Sequence, residues 1–224
     1  MNILVISDLH LDAHFEPDRY KRLSELIAAS NQVIICGDFW EGHGMDFDEF
    51  LHTQWVELFP LLKSKNSVYV FGNHDRRDRS DNRIFQFCNI ATEQYKTIIG
   101  RVHYIFEHGN RLSPKIDEVL GIRKANPLYF AVSEWIQLAF VKLFGIRGFW
   151  MMYHGQNEKI KRASFKEFNS LGDYMYVCGH TDCAEIDRKN HFANSGLCKY
   201  GFIQYLTIEQ DGSIELHMEK YLES

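Results

Sequence analysis

Proline is scarce in this sequence: only 4 of the 224 residues are proline, and no stretch is rich in proline or serine. Hydrophobic residues make up 45% of the chain and aromatic residues 14%. This composition excludes a disordered or low-complexity chain. The length suits one domain with a full hydrophobic core, so we expect residues 1–224 to form a single domain.

The sequence has no excess of positive charge. It contains 25 Lys and Arg against 30 Asp and Glu, which gives a formal net charge of −5 at pH 7. A basic surface that wraps nucleic acid through its phosphates is therefore not expected. We predict no nucleic-acid partner.

The five cysteines have no disulfide-like spacing, and their number is odd. Two of them lie in or beside apolar runs, where a reduced, buried thiol is ordinary. The first residues, MNILVISDLH, read as a strand that runs into a loop and not as a secretion signal. We therefore expect a cytoplasmic protein.

No apolar run is long and uncharged enough to cross a membrane. The most apolar segment, residues 127–153, is interrupted by Glu134, Gln137, Lys142 and Arg147. It lies in a helical insertion that we place at about residues 111–170.

Two interpretations of this insertion stay open. Apolar residues recur at helical spacing, as they do on a helix that packs on a core; they are Leu128, Val132, Trp135, Ile136, Ala139, Phe140 and Leu143. More apolar residues lie beyond that stripe, namely Phe144, Ile146, Phe149, Trp150, Met151 and Met152. The wider surface favours a cap that binds acyl chains or faces a membrane.

Strand and helix patterns alternate in the first third of the chain. The runs NILVIS, QVIICG and SVYVFGN predict strands, and PDRYKRLSELIAA predicts a helix that begins near Pro17. Residues 46–64 predict a second helix that Pro60 kinks or divides. Apolar strands joined by helices indicate a parallel sheet with both faces buried. After residue 184, short strand patterns with a turn at Asp211 and Gly212 predict a second, largely antiparallel sheet.

Polar residues follow five of the predicted strands. They are Asp8 and His10, then Asp38, then Asn73, His74 and Asp75, then His108, and last His180 with Asp182. Ligands of α/β sheets gather at the carboxyl ends of the strands, so we expect these residues to converge. Carboxylate and imidazole together suit Mn²⁺, Fe or Zn²⁺ better than Ca²⁺. Two such ions can clamp a phosphoryl group and activate water, and Asp38 is the natural bridge between them.

The five motifs resemble those of the calcineurin-like metallophosphoesterases. They are DLH (8–10), GDFWE (37–41), GNHD (72–75), HG (108–109) and GH (179–180), in that order. The resemblance implies an α/β fold, a two-sheet sandwich flanked by helices with a helical cap insertion. It implies a first metal bound by Asp8, His10 and Asp38, and a second completed by Asn73, His108 and His180. His74 would act on the leaving group, oriented by Asp75.

The sequence departs from the family at one position. The last motif usually continues GHTH, and its second histidine binds the first metal, whereas this chain has Asp182 there. An aspartate ligand would favour Mn²⁺ or Fe over Zn²⁺. The alternative is that the shorter Asp182 does not reach the ion. We expect two divalent transition-metal ions, with Mn the preferred metal and Fe, Zn or Co the others.

Within this family, the chain resembles the UDP-2,3-diacylglucosamine pyrophosphatases of lipid A synthesis. The shared features are DLHLD, GDFWE and a helical insertion between HG and GH. In that group the insertion caps the active site and holds acyl chains, and the enzyme is a peripheral membrane protein. The resemblance implies a hydrolase of phosphoric esters or diphosphates at the inner membrane face, with a phosphate-containing, lipid-linked substrate.

Two other functions stay open. One is hydrolysis of a soluble phosphodiester, nucleotide or phosphoprotein, and the other is a metal-poor scaffold that binds a protein partner. Basic candidates for substrate binding are Arg76 and Arg77, which follow GNHD, and Lys159 and Arg162. The remaining histidines singled out, His14, His43, His52 and His217, are interpreted as surface or packing residues.

Overall fold

The computed structural model describes residues 2–114 and 127–221. The strands in these ranges are β1 (Ile3–Ile6), β2 (Gln32–Cys36), β3 (Val68–Val70), β4 (Ile90–Thr92), β5 (Gln94–Ile99), β6 (Val102–Glu107), β7 (Tyr174–Cys178), β8 (Glu185–Asp187), β9 (Phe192–Asn194), β10 (Phe202–Ile208) and β11 (Ile214–Lys220). They form two sheets, with strand orders β11-β10-β1-β2-β3-β4 and β5-β6-β7-β9-β8. Helices flank the sheets, so the predicted mixed α/β, two-sheet architecture is confirmed.

The first sheet has a parallel part and an antiparallel part. Strands β1 to β4 pair in parallel, as the apolar runs predict. Strand β10 pairs antiparallel with β1, and β11 pairs antiparallel with β10. In the second sheet β6, β7 and β9 are parallel, while β5 and β8 run antiparallel at its edges.

The prediction that the tail forms the second sheet is correct for two of its four strands and wrong for the other two. Strands β8 and β9 join β6 and β7, whereas β10 and β11 extend the first sheet. The reason lies in β10, which is apolar on both faces. Ile203 packs on the helix side and Leu206 packs between the sheets. A strand with two buried faces requires cover on both sides, and the place beside β1 provides it.

Three helices precede β3: α1 (Pro17–Ala29), α2 (Phe47–Phe50) and α3 (Phe59–Ser64). Helix α1 begins at Pro17, as predicted. The second predicted helix is broken by a 3₁₀ turn over Gln54–Leu58. One division lies next to Pro60, as predicted: Pro60 is in the first turn of α3, where its missing N–H is not needed.

The predicted insertion contains α4 (Pro127–Phe144) and α5 (Arg147–Phe168). Helix α5 packs on the second sheet through Ile160 and Phe168. Helix α4 packs through Val141 on Leu197, and the Tyr200 hydroxyl lies 2.8 Å from Gln137 Oε1. Among the described helices, none combines the length and the apolar character that a membrane span requires.

Much of the apolar surface of α4 and α5 faces solvent. Trp135 is 69% exposed, Leu143 76% and Met151 71%. The interpretation of a stripe that packs on the core is therefore wrong for Val132, Trp135, Ile136 and Leu143. The side chains of Leu128, Phe149 and Trp150 lie outside what the structure describes.

Candidate metal centre

The five polar strand ends meet at one edge of the sandwich. Strands β1, β2 and β3 contribute from the first sheet, and β6 and β7 contribute from the second. Asp8 links the two sheets directly, because its carboxylate accepts the backbone N–H of His180 at 2.9 Å. The cluster therefore lies across the end of the sheet interface.

The backbone of this cluster is in an uncommon conformation. Positive φ angles between 46° and 71° occur at Asp8, His10, Asp38, His180 and Asp182. Such left-handed residues cost about 1–3 kcal/mol each and persist where the surroundings fix them, often at functional sites. The glycines before Asp38 and His180 allow the necessary close approach. A Cβ on Gly37 would collide with the His108 ring, and one on Gly179 would collide with the Asp8 carboxylate.

Four acceptor atoms converge on one side of the cluster. Asn73 Oδ1 lies 2.9 Å from His108 Nε2 and 2.9 Å from His180 Nδ1, and Asp38 Oδ2 lies 3.2 Å from His108 Nε2. The outer ring nitrogens face backbone carbonyls, at 2.8 Å from Cys36 O and 2.8 Å from Ser113 O. Carbonyls only accept, so the outer nitrogens hold protons, and the inner nitrogens point lone pairs into the cluster only when both rings are neutral.

The other side of the cluster is richer in carboxylates. Ligand atoms of Asp8, His10 and Asp182 all lie within 4.8 Å of one another, and those of Asp8, Asp38 and His108 form a second such group. Asp182 is thus near the residues expected to bind the first metal. Whether it binds an ion stays a prediction.

An unpaired oxygen tests whether these residues fit a metal. Asp38 Oδ2 is buried and makes no hydrogen bond to any residue that the structure describes, although His108, His10 and His74 place their Nε2 atoms 3.2, 3.7 and 3.9 Å from it. A buried carboxylate oxygen without a partner is costly. A divalent cation at this point would satisfy it together with the converging lone pairs. The donor set therefore fits a transition-metal ion.

The electrostatics of the metal-free cluster agree with this fit. Burial raises the pKa of Asp8 to about 7. Burial opposes charge on His108 too, but attraction to Asp38 and Asp8 outweighs it and raises the pKa of His108 to about 10. A proton on His108 thus supplies the positive charge that the carboxylates require, and metal binding must displace it.

The family model for calcineurin-like phosphoesterases matches residues 1–184. The chain belongs to the calcineurin-like phosphoesterase family. Together with the donor set above, this membership makes the protein a metal-dependent phosphoester hydrolase.

Solved structures are similar to this phosphoesterase in fold. An archaeal phosphodiesterase is 16% identical, with 98% of this chain and 100% of that chain covered and a TM-score of 0.50. A single-substitution variant of Vps29 from Entamoeba histolytica is 14% identical, with 98% and 99% covered and a TM-score of 0.50. At these identities the likeness shows the fold alone. No curated protein matches the sequence.

Glu41 is the residue of the phosphoesterase centre that the sequence interpretation missed. Its two oxygens hold two imidazoles, with Oε2 2.9 Å from His10 Nδ1 and Oε1 2.7 Å from His74 Nδ1. Burial would raise the pKa of Glu41, but His74 and His10 hold it well below its usual range. The signal in the sequence was a carboxylate three residues after Asp38.

The carboxylate contacts of Asp75 differ from those expected of a residue that orients His74. Its carboxylate accepts backbone N–H groups from Gly72, Asp38 and Phe39, at 2.7, 3.1 and 2.6 Å. Asp75 therefore ties the loop after β3 to the loop after β2, and Glu41 is the carboxylate that orients His74. The physical reason is that the oxygens of Asp75 are taken by backbone N–H groups, whereas the two oxygens of Glu41 face the two imidazoles.

His43 also lies at the site, where the sequence indicated only a surface or packing residue. Its ring stacks on His74 with centroids 4.0 Å apart and an interplanar angle of 28°. Burial, with repulsion from His74, lowers the pKa of His43 to about 4. Arg79 donates to the carbonyls of Gly42 and His74, at 2.7 and 3.1 Å. These contacts fix the backbone and the ring face of His74.

The predicted substrate-binding residues are exposed. Arg76 is paired with Asp78 at 3.3 Å, and Arg77 is exposed next to it. Lys159 and Arg162 lie on the exposed side of α5, away from the side that carries Ile160. Their role in substrate binding stays a prediction.

Proposed function

We propose that this phosphoesterase hydrolyses a diphosphate or phosphodiester that carries long apolar chains, such as UDP-2,3-diacylglucosamine. The observation that supports the proposal is the exposed apolar surface of α4 and α5. It comprises Val132, Trp135, Ile136, Leu143, Phe144, Met151 and Met152. Apolar surfaces of this kind serve as binding sites for apolar partners. A soluble substrate does not require an exposed apolar surface.

The residues around His74 suit a role at the leaving oxygen. When bound, the divalent ions supply positive charge to the phosphoryl group and activate the attacking water. Glu41 faces His74 Nδ1, so that nitrogen holds a proton and Nε2 faces the cluster. In the imidazolium form, whose charge Glu41 balances, Nε2 also carries a proton and can deliver it to the leaving oxygen. His43 restricts rotation of the ring by stacking on its face.

We further propose that the centre holds two ions and that Mn²⁺ is the preferred metal. Asp8, Asp38 and Asp182 would give the first ion three carboxylates and His10 one imidazole. The second ion would take its imidazoles from His108 and His180. Carboxylate oxygen suits Mn²⁺, while imidazole nitrogen suits Zn²⁺. The carboxylate-rich half is thus the basis for the preference.

Activity on acylated and unacylated substrates tests the substrate class. Release of UMP from UDP-2,3-diacylglucosamine in mixed micelles is compared with release from UDP-N-acetylglucosamine at equal Mn²⁺. We expect a kcat/KM at least about 100-fold higher for the acylated compound, since each buried methylene contributes about 0.8 kcal/mol. Equal values would favour the soluble phosphodiester or nucleotide alternative. Protein that binds no metal under metal-replete conditions would favour the scaffold.

A matched pair of variants locates the apolar contact. Trp135→Ser should lower kcat/KM for the acylated substrate and leave bis(p-nitrophenyl) phosphate hydrolysis unchanged. Ile98→Ser is the control, because Ile98 is 61% exposed on β5, outside the helices. If both variants lose activity equally, the helices are not the acyl-binding surface. Flotation of wild-type protein with anionic vesicles tests the proposed peripheral contact with the inner membrane face.

A further inference from the structure

The loop after β7 carries two expected metal ligands, His180 and Asp182. Both are left-handed, with φ of 71° and 55°, and fully buried Thr181 lies between them. A loop with two such residues keeps its shape only where neighbouring groups fix it. The contacts of Thr181 therefore decide where the two ligands point.

The loop is held from the sheet on one side. Asn194, at the end of β9, donates through Nδ2 to Gly179 O at 2.7 Å and lies 2.9 Å from Thr181 Oγ1. Its own Oδ1 accepts the backbone N–H of Gly196 at 2.8 Å. These contacts come from the same sheet as the loop.

The loop is held from α5 on the other side. Asn157 Oδ1 accepts the Thr181 hydroxyl at 2.6 Å, and its Nδ2 donates to Cys183 O and to Glu185 Oε2, both at 2.9 Å. Asn157 is fully buried. Its amide thus joins two points of the loop, one on each side of Asp182.

Lys161, one turn further along α5, strengthens the same attachment. Its Nζ lies 3.1 Å from Asp187 Oδ2 and also contacts Glu185, and the side chain is only 5% exposed. Both carboxylates belong to β8, which follows the loop directly. Helix α5 therefore binds the loop at Thr181 and Cys183 through Asn157. It binds the following strand, β8, through Lys161.

We infer that Asn157 is a positioning residue of the metal centre, which fixes the loop so that His180 and Asp182 face the ions. The inference rests on the metal-dependent function stated above. Asn157 belongs to the segment inserted between β6 and β7. The insertion accordingly takes part in metal binding besides any contact with substrate.

Cobalt titration of the metal-free protein tests this role. Co²⁺ affinity and the visible d–d spectrum are measured for wild type, Asn157→Ala and Thr181→Val. Residues that orient metal ligands typically change metal affinity by about 10–100-fold when replaced. We expect that loss and an altered spectrum for both variants. The two losses should not add in the double variant, since the two residues share the hydrogen bond from the Thr181 hydroxyl to Asn157 Oδ1.

Ser164→Ala is the matched control. Ser164 is buried on α5, and its hydroxyl donates to Lys161 O within the helix and not to the metal-binding loop, so Co²⁺ binding should not change. Wild-type affinity and spectrum in Asn157→Ala would overturn the inference, even with a lower Tm. If Asn157→Ala does not fold, the near-isosteric Thr181→Val decides in the same way. Failure of wild type to bind Co²⁺ would instead overturn the metal-dependent function itself.

Discussion

The strand-end cluster buries its polar side chains, whereas the helical insertion leaves large apolar side chains exposed. In the cluster Asp8, Asp38 and His108 are fully buried, and each is fixed by neighbours. In the insertion Trp135 and Leu143 are large, apolar and exposed. The cluster holds charged groups in a fixed geometry, while the exposed side of the insertion is the surface proposed to bind the substrate. Changes in the cluster should therefore affect chemistry, and changes on the exposed insertion should affect only recognition.

Asp38→Asn should give the largest effect. The substitution keeps the shape but removes the charge that His108, His74 and His10 surround. We expect hydrolysis of bis(p-nitrophenyl) phosphate to fall by more than about 1,000-fold, beyond the loss from one transition-state hydrogen bond. Bound Mn²⁺, measured by elemental analysis, should fall as well. A variant with near wild-type turnover would contradict the assignment of the centre.

Glu41→Gln and Asp75→Asn separate orientation of His74 from support of the loop. Glu41→Gln removes the charge that holds two imidazoles and should lower kcat by about 10–100-fold with little change in Tm. Asp75→Asn weakens three bonds to backbone N–H groups and should cost about 1–3 kcal/mol of unfolding free energy. Activity assays and chemical denaturation distinguish the two. The reverse pattern would restore the role first predicted for Asp75.

The contrast between the strand-end cluster and the helical insertion also explains which features could be predicted from the sequence. The convergence of Asp8, Asp38 and His108 follows from their places directly after apolar strands, which is local information. The partner of His74 depends on how the turn after β2 directs Glu41, and no spacing rule specifies that. Trp135 and Leu143 have the helical spacing of a buried stripe, so the pattern alone could not distinguish a covered face from an exposed one. Which sheet β10 joins likewise depends on the elements that cover its two faces, and the strand pattern alone does not specify them.

Asp182→His should have a smaller effect, confined to metal preference. The histidine restores the usual ligand type beside Asp8 and His10. We expect the ratio of Zn²⁺ to Mn²⁺ affinity to rise by about tenfold, or ~1.4 kcal/mol, by calorimetric titration of metal-free protein. Asp182→Ala is the control and should weaken binding of both ions. Unchanged affinities in both variants would mean that Asp182 is not a ligand.

Leu143→Ser should have the smallest effect on the folded domain, because Leu143 is 76% exposed on α4. We expect the free energy of unfolding to change by less than about 0.5 kcal/mol, as at other exposed positions. Ile146→Ala is the comparison from the same insertion: Ile146 is buried in the cluster with Leu197 and should cost about 2 kcal/mol or more. Urea denaturation measures both values. Equal losses would mean that Leu143 is covered in solution, and the exposed face of the insertion would then belong to the fold instead of to a substrate.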